Sequence, residues 1–80
     1  MNRYWENEKP IVAASGKNVL RWFPKAGRLQ VSLPDWEDGE GRTRPGKTVT
    51  LDVEAMRESE DAETARAILA DVLAALDLLH

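Results

Sequence analysis

Cationic and aromatic side chains interleave along the first half of the sequence. Arg21 stands directly before Trp22 and Phe23, and Lys25 and Arg28 follow. Trp36 is followed by Arg42, Arg44 and Lys47. Rings set among cations suit an unpaired nucleic-acid strand. Its exposed bases stack on the rings, at about 1–3 kcal/mol per base, while Lys and Arg track its phosphates. A reader of duplex DNA needs instead a helix that offers Arg, Asn or Gln to a groove. The one long helical pattern in this chain is acidic and apolar and would be repelled by phosphate, so a nucleic-acid surface here has to be a sheet. Each residue also has a plainer use. One or two of the three Trp can fill core sites. Lys25 and Arg28 can be solvated turn charges, and Arg42 and Arg44 can neutralise the acids between positions 35 and 40.

Other chemistries are poorly supplied. The chain has no Cys and one His, His80, at its last position. Disulfides, thiolate metal sites, a Cys nucleophile, a His-based triad and a His zinc cluster are thereby excluded. Gly46-Lys47-Thr48 ends like a phosphate-binding loop, but the upstream Gly is missing and a strand pattern follows instead of a helix. Asp35, Glu37, Asp38 and Glu40 lack the twelfth-position Glu of a calcium loop and lie between strand patterns. The expectation is a non-catalytic protein with no cofactor, no metal and no small-molecule substrate.

Eighty residues, 42% hydrophobic and 31% charged, make one ordinary domain. A chain of this size buries only roughly 60% of the surface its unfolded form exposes, so a lone monomer would be marginal. The net charge of −3 hides a division. Residues 1–50 carry nine basic side chains and six acidic ones; residues 51–80 carry two basic and eight acidic. Such asymmetry is a mild pointer to a polyanion partner for the basic half. The most apolar stretch, Ile68–Leu79, is interrupted by Asp71 and Asp77, so no membrane span is expected. No signal peptide is expected either, and the expected location is the cytoplasm.

The elements that would position these residues follow from periodicity. Residues 1–14 form an N-terminal arm or an extra edge strand, with Ile11–Ala14 the apolar run that could pair. Ser15-Gly16-Lys17-Asn18 reads as a turn. Val19–Leu33 reads as a hairpin about Pro24-Lys25-Ala26-Gly27. In its second half Leu29, Val31 and Leu33 alternate with Arg28, Gln30 and Ser32. In its first half Leu20 and Trp22 share a face opposite Val19, Arg21 and Phe23, so both faces carry large apolar groups. Residues 34–46 read as a loop, long enough to carry function. Lys47–Val53 alternates again, and Asp52 is placed to cap a short helical turn at Val53–Glu58. The sheet region is 15–53.

A helix is expected over 59–79, with Ser59 as N-cap and Glu60, Asp61 and Glu63 in its first turn. Ala62, Ala65, Leu69, Val72, Leu76 and Leu79 recur at heptad spacing. Such a helix can cover its own sheet and still present a face to a second copy. The expected dimer interface is Ala65, Leu69, Val72, Leu76 and Leu79. The fold class is α+β: a four-stranded antiparallel curved sheet followed by a C-terminal helix through which the chain dimerises.

From about Lys17 to Val53 the order of features resembles the positive cofactor four family of transcriptional coactivators, which are small single-stranded-DNA-binding domains. The shared features are Arg21-Trp22-Phe23 on a strand, a basic turn containing Gly27, an alternating strand ending near Leu33, and Trp36 at its end. An acidic-then-basic loop closing in Arg44-Pro45-Gly46-Lys47 completes the set. Residues 1–14 have no counterpart in it. The resemblance implies a homodimer whose sheets hold unpaired DNA, in transcription regulation or DNA maintenance. By matching positions, it implies DNA contacts from Lys17, Arg21, Phe23, Lys25, Arg28, Trp36, Arg42, Arg44 and Lys47. RNA in place of DNA and a helix-mediated protein-interaction module are the alternatives.

Overall fold

The computed structural model describes residues 3–78. Along the chain lie α1 (Tyr4–Asn7), β1 (Ile11–Ala14), β2 (Val19–Phe23), β3 (Arg28–Ser32), β4 (Trp36–Glu37), β5 (Thr43–Arg44), β6 (Thr48–Asp52), α2 (Val53–Arg57) and α3 (Ala62–Leu76). Four strands form one antiparallel sheet in the order β1-β2-β3-β6, and β4 and β5 form a separate two-stranded ribbon. The class is therefore α+β, a four-stranded antiparallel sheet followed by a C-terminal helix. Ile11–Ala14 is the edge strand of that sheet, and the N-terminal arm adds a short helix before it. Leu79, the last position of the apolar seam, and His80 lie outside the described residues.

Register turns the period-two alternation into two unlike faces. Ile11, Trp22, Leu29 and Leu51 lie in one row across the four strands, and Ala13, Leu20, Val31 and Val49 in the next. These eight make an apolar face. The intervening rows are Val12, Arg21, Gln30 and Thr50, then Ala14, Val19, Ser32 and Thr48. Phe23, Arg28 and Asp52 form a third row of this polar face.

Helix α1 covers part of the polar face. The Tyr4 ring meets Phe23 edge-on at 4.9 Å between centroids, and the Gln30 Nε2 donates to Tyr4 Oη at 2.9 Å. Phe23 becomes 2% exposed, the sole large hydrophobic side chain fully buried among the described residues. The apolar face has no comparable cover. Ile11 is 66% exposed and Val49 72%.

The C-terminal helix departs from expectation at both ends, running from Ala62 to Leu76 rather than over 59–79. Asp52 caps α2 as its type predicts, its Oδ1 accepting from the Ala55 amide at 3.0 Å. But α3 begins at Ala62, not at Ser59. The Ser59 hydroxyl donates to the Met56 carbonyl at 2.7 Å, closing α2, and its Oγ accepts from the Asp61 amide at 3.3 Å, in the link that leads to the next helix. Asp61 takes the N-cap position without a side-chain bond. Helix α3 packs against α2 rather than lying across the sheet. Between them and the end of β6 runs an apolar groove of about 330 Å³ lined by Leu51, Met56, Ala65 and Leu69. The chain is accordingly open, 46 × 45 × 21 Å, with a radius of gyration of 15.3 Å. A compact chain of this length has about 12 Å.

Candidate nucleic-acid interface

Arg21 sits at the centre of the polar face. Its Nη1 donates to Ser32 Oγ at 3.0 Å, and Ser32 Oγ lies 2.7 Å from Thr48 Oγ1. This fixes one corner of the guanidinium and leaves its remaining donors for a ligand. Among the described residues Arg21 takes part in no ion pair. The pairs present engage Arg28, Arg42 and Arg44 instead. With no carboxylate in ion-pair distance among the described residues, the Arg21 charge is not matched by a partner within the fold.

The other expected contacts divide by position. Lys17 is held in the β1–β2 turn, where Ser15 Oγ accepts from the amides of Lys17 and Asn18 at 3.1 and 3.0 Å. Lys25 is exposed in the β2–β3 turn at the opposite end of the strands. There Gly27 adopts φ +66°, a left-handed conformation that favours glycine. Lys17, Arg21 and Lys25 therefore mark the two ends and the middle of the sheet. Arg28 shares the face, but Asp52 sits 3.1 Å from its Nη1 and the Ala26 carbonyl accepts from it at 2.8 Å. Its charge is largely neutralised within the fold.

Phe23 is a correction. The resemblance makes it a DNA-facing ring, but Tyr4 packs over it and only 2% of it is exposed. It serves the packing of α1 on the sheet.

Trp36, Arg42, Arg44 and Lys47 belong to the ribbon end of the molecule. The stretch read as a loop is a hairpin. Trp36 pairs with Arg44 and Glu37 with Thr43, and the Asp38 amide donates to the Arg42 carbonyl at 3.0 Å. The three-residue tip Gly39–Gly41 ends with Gly41 at φ +79°, the geometry such short hairpins require. Asp38 organises the tip. Its Oδ1 accepts from the amides of Glu40 and Arg42 at 2.9 and 3.0 Å, and its Oδ2 pairs with Arg44 Nε at 2.9 Å. The Arg42 amide first, then the Arg44 side chain and the Glu40 amide, stabilise the ionised form and hold the Asp38 pKa below the usual carboxylate range. Arg42 pairs with Glu40 at 3.2 Å, both well exposed, a contact of little energetic weight. At the ribbon base, a side chain on Gly46 would run into the Leu33 and Pro34 carbonyls, so only glycine fits.

Lys47 accepts the Leu33 amide on its carbonyl at 2.9 Å and stands two residues before Val49, on the apolar side of the sheet. It shares a groove with Leu33 and Trp36, and Trp36 is 55% exposed. The structure thus joins Trp36 to Lys47 but does not bring either onto the Arg21 face.

Four polar-face residues were not singled out from the sequence as site residues: Gln30, Ser32, Thr48 and Thr50. They alternate with the apolar positions, but only the strand register aligns them with Arg21. Tyr4 and Trp5 likewise carry no site signal in the sequence, because a four-residue helix has no periodicity to read. Among the described residues no group of three or more acidic, His or Cys side chains could hold a metal, and no helix is long and apolar enough to cross a membrane. Compared with family models, curated proteins and solved structures, the chain matches none.

Proposed function

We propose that this protein is a non-catalytic, dimeric single-stranded-DNA-binding protein, acting in the cytoplasm in transcription regulation or DNA maintenance. The observation that carries the reading is the polar sheet face, where Arg21 has no acidic partner and lies among hydroxyls, a carboxamide and aromatic rings. That combination suits phosphate and unpaired bases together. The resemblance of the Lys17–Val53 sequence, in order and spacing, to the positive cofactor four pattern supports the same reading. Duplex recognition is disfavoured because α3, the one long helix among the described residues, offers a single base-reading side chain, Arg66, beside Glu63 and Asp71 and among apolar residues.

The dimer completes the fold. Leu69, Val72 and Leu76 on α3 are 50%, 49% and 74% exposed, and the apolar sheet face is open as well. A protomer with one buried large hydrophobic side chain cannot supply the burial a domain this small needs. A second copy covers the Ala65–Leu69–Val72–Leu76 seam. It offers the same apolar stripe in return, as a two-fold interface requires.

The test is fluorescence anisotropy with a labelled oligothymidine of about twenty nucleotides, beside the matching duplex, at two salt concentrations. Lys17, Arg21 and Lys25 together give an expected log–log salt slope of about −2 per protomer. Tight, salt-sensitive binding that favours the single strand supports the proposal. Absence of binding at micromolar protein in low salt sinks it, and the protein-interaction module then takes its place.

A further inference from the structure

We propose that α1 completes a subsite for one unpaired base of the bound strand, with Trp5 as its stacking ring. The inference rests on the single-strand reading above and adds residues that neither the sequence pattern nor the resemblance assigns. Its starting point is that Phe23 is closed off, so the polar face needs another ring if a base is to stack there.

Tyr4, Trp5, Arg21, Gln30, Thr48 and Thr50 line an open concavity of about 560 Å³ on the polar face. That volume is within the range of small-ligand sites. Trp5 is 49% exposed. Its ring is set edge-on against Tyr4 at 5.0 Å, and the Arg3 guanidinium lies 5.6 Å from its centroid. The ring is therefore positioned, and half open.

What holds it in place is distributed over the arm. Tyr4 is fixed by Phe23 and Gln30. Beyond α1, the Glu8 carboxylate accepts from the amides of Lys25 and Ala26 at 2.8 and 3.1 Å, tying the arm to the β2–β3 turn. A ring held in advance loses little freedom when a base stacks on it.

The polar groups match the rest of a nucleotide. Gln30 gives one amide hydrogen to Tyr4, and its carbonyl oxygen and second hydrogen remain as an acceptor and a donor for a base edge. Thr50 adds a hydroxyl beside it in the same row. Arg21, in that row too, places a cation for the adjoining phosphate. Stacking ring, edge-reading amide and phosphate cation thus converge on one cavity.

The experiment compares the full chain and its variants on an oligothymidine and on the same strand with abasic sites throughout. Trp5→Ala is expected to lose about tenfold in affinity for the base-bearing strand and nothing on the abasic one. Trp5→Phe should restore most of the loss. Gln30→Leu should weaken the base-bearing strand only, and Arg21→Ala should weaken both strands and flatten the salt slope. If Trp5→Ala binds the oligothymidine like the parent, or loses equally on both strands, the subsite is wrong while single-strand binding stands. If the parent protein binds neither strand, the functional reading itself fails and the subsite with it.

Discussion

The two faces of the four-stranded sheet differ in what covers them. The polar face carries Arg21, Gln30, Ser32, Thr48 and Thr50, and yet it holds the one large hydrophobic side chain fully buried among the described residues, Phe23, under Tyr4. The apolar face carries eight residues in two rows and leaves Ile11 and Val49 mostly in solvent. The face built for water is thus partly closed by the chain itself, and the face built for burial is open. An apolar surface left open in this way is what the proposed second copy would cover. The polar face is complete within one protomer, so its chemistry can be assigned from a single chain. The apolar face has no comparable cover of its own among the described residues.

The largest expected effect breaks this contrast on the apolar side. In a solitary protomer, Leu69→Asp or Val49→Asp would change exposed positions and shift stability by no more than about 0.5 kcal/mol. With a second copy on those faces, each buries an unpaired carboxylate. The expected outcome is a monomer by sedimentation and a melting temperature lower by about 10 °C or more. The parent's melting temperature should rise with protein concentration, as dissociation coupled to unfolding requires. A Val49→Asp variant that stays dimeric at unchanged melting temperature would confine the interface to α3.

A smaller effect sharpens the contrast on the polar side. Phe23→Ala removes the ring that α1 rests on and should cost about 3 kcal/mol in urea denaturation. Tyr4→Phe keeps the ring contact and deletes only the bond from Gln30, so it should cost about 1 kcal/mol. Were Phe23 an open stacking residue, its replacement would lower DNA affinity and leave stability nearly unchanged. The ratio of the two readouts separates the roles.

Much of this arrangement is legible in the sequence because it depends on local rules. The alternation in Arg28–Ser32 and Thr48–Asp52 gives strands and their faces directly, and Asp52 before Val53–Arg57 is a cap by residue type alone. What escaped depends on contacts distant along the chain. That Phe23 is closed off follows from Tyr4, nineteen positions earlier, and no periodicity links the two. The ribbon escaped because its strands have two residues each, too short to alternate. Its one local signal was Gly41, three residues after Asp38. Ser59 misled because the same hydroxyl suits the end of α2 as well as the start of α3. Of the expected cationic contacts, Lys17, Arg21, Lys25 and Lys47 stay unpaired among the described residues, while Arg28, Arg42 and Arg44 have carboxylate partners. A linear sequence shows that acids are near, but not which cation they engage.

That distinction between engaged and unpaired cations leads to the smallest effect, a pH dependence of the ribbon. Asp38 has its pKa lowered in the fold, so the stabilisation it gives is fully present above the ordinary carboxylate range and is lost as pH falls through the lowered value. The Trp36 indole N–H signal, followed by NMR during acid titration, should keep its native position through the pH range where exposed carboxylates titrate and move only below it. Arg44→Ala should bring that midpoint part of the way back up. It should not bring it all the way, because the Arg42 amide, the largest influence, and the Glu40 amide remain in place. If Arg44→Ala restored an ordinary midpoint, the ion pair rather than the hairpin tip would be organising the ribbon. Arg44 would then be exchangeable between Asp38 and a phosphate, and the ribbon would be added to the polar face in the proposed strand-binding surface.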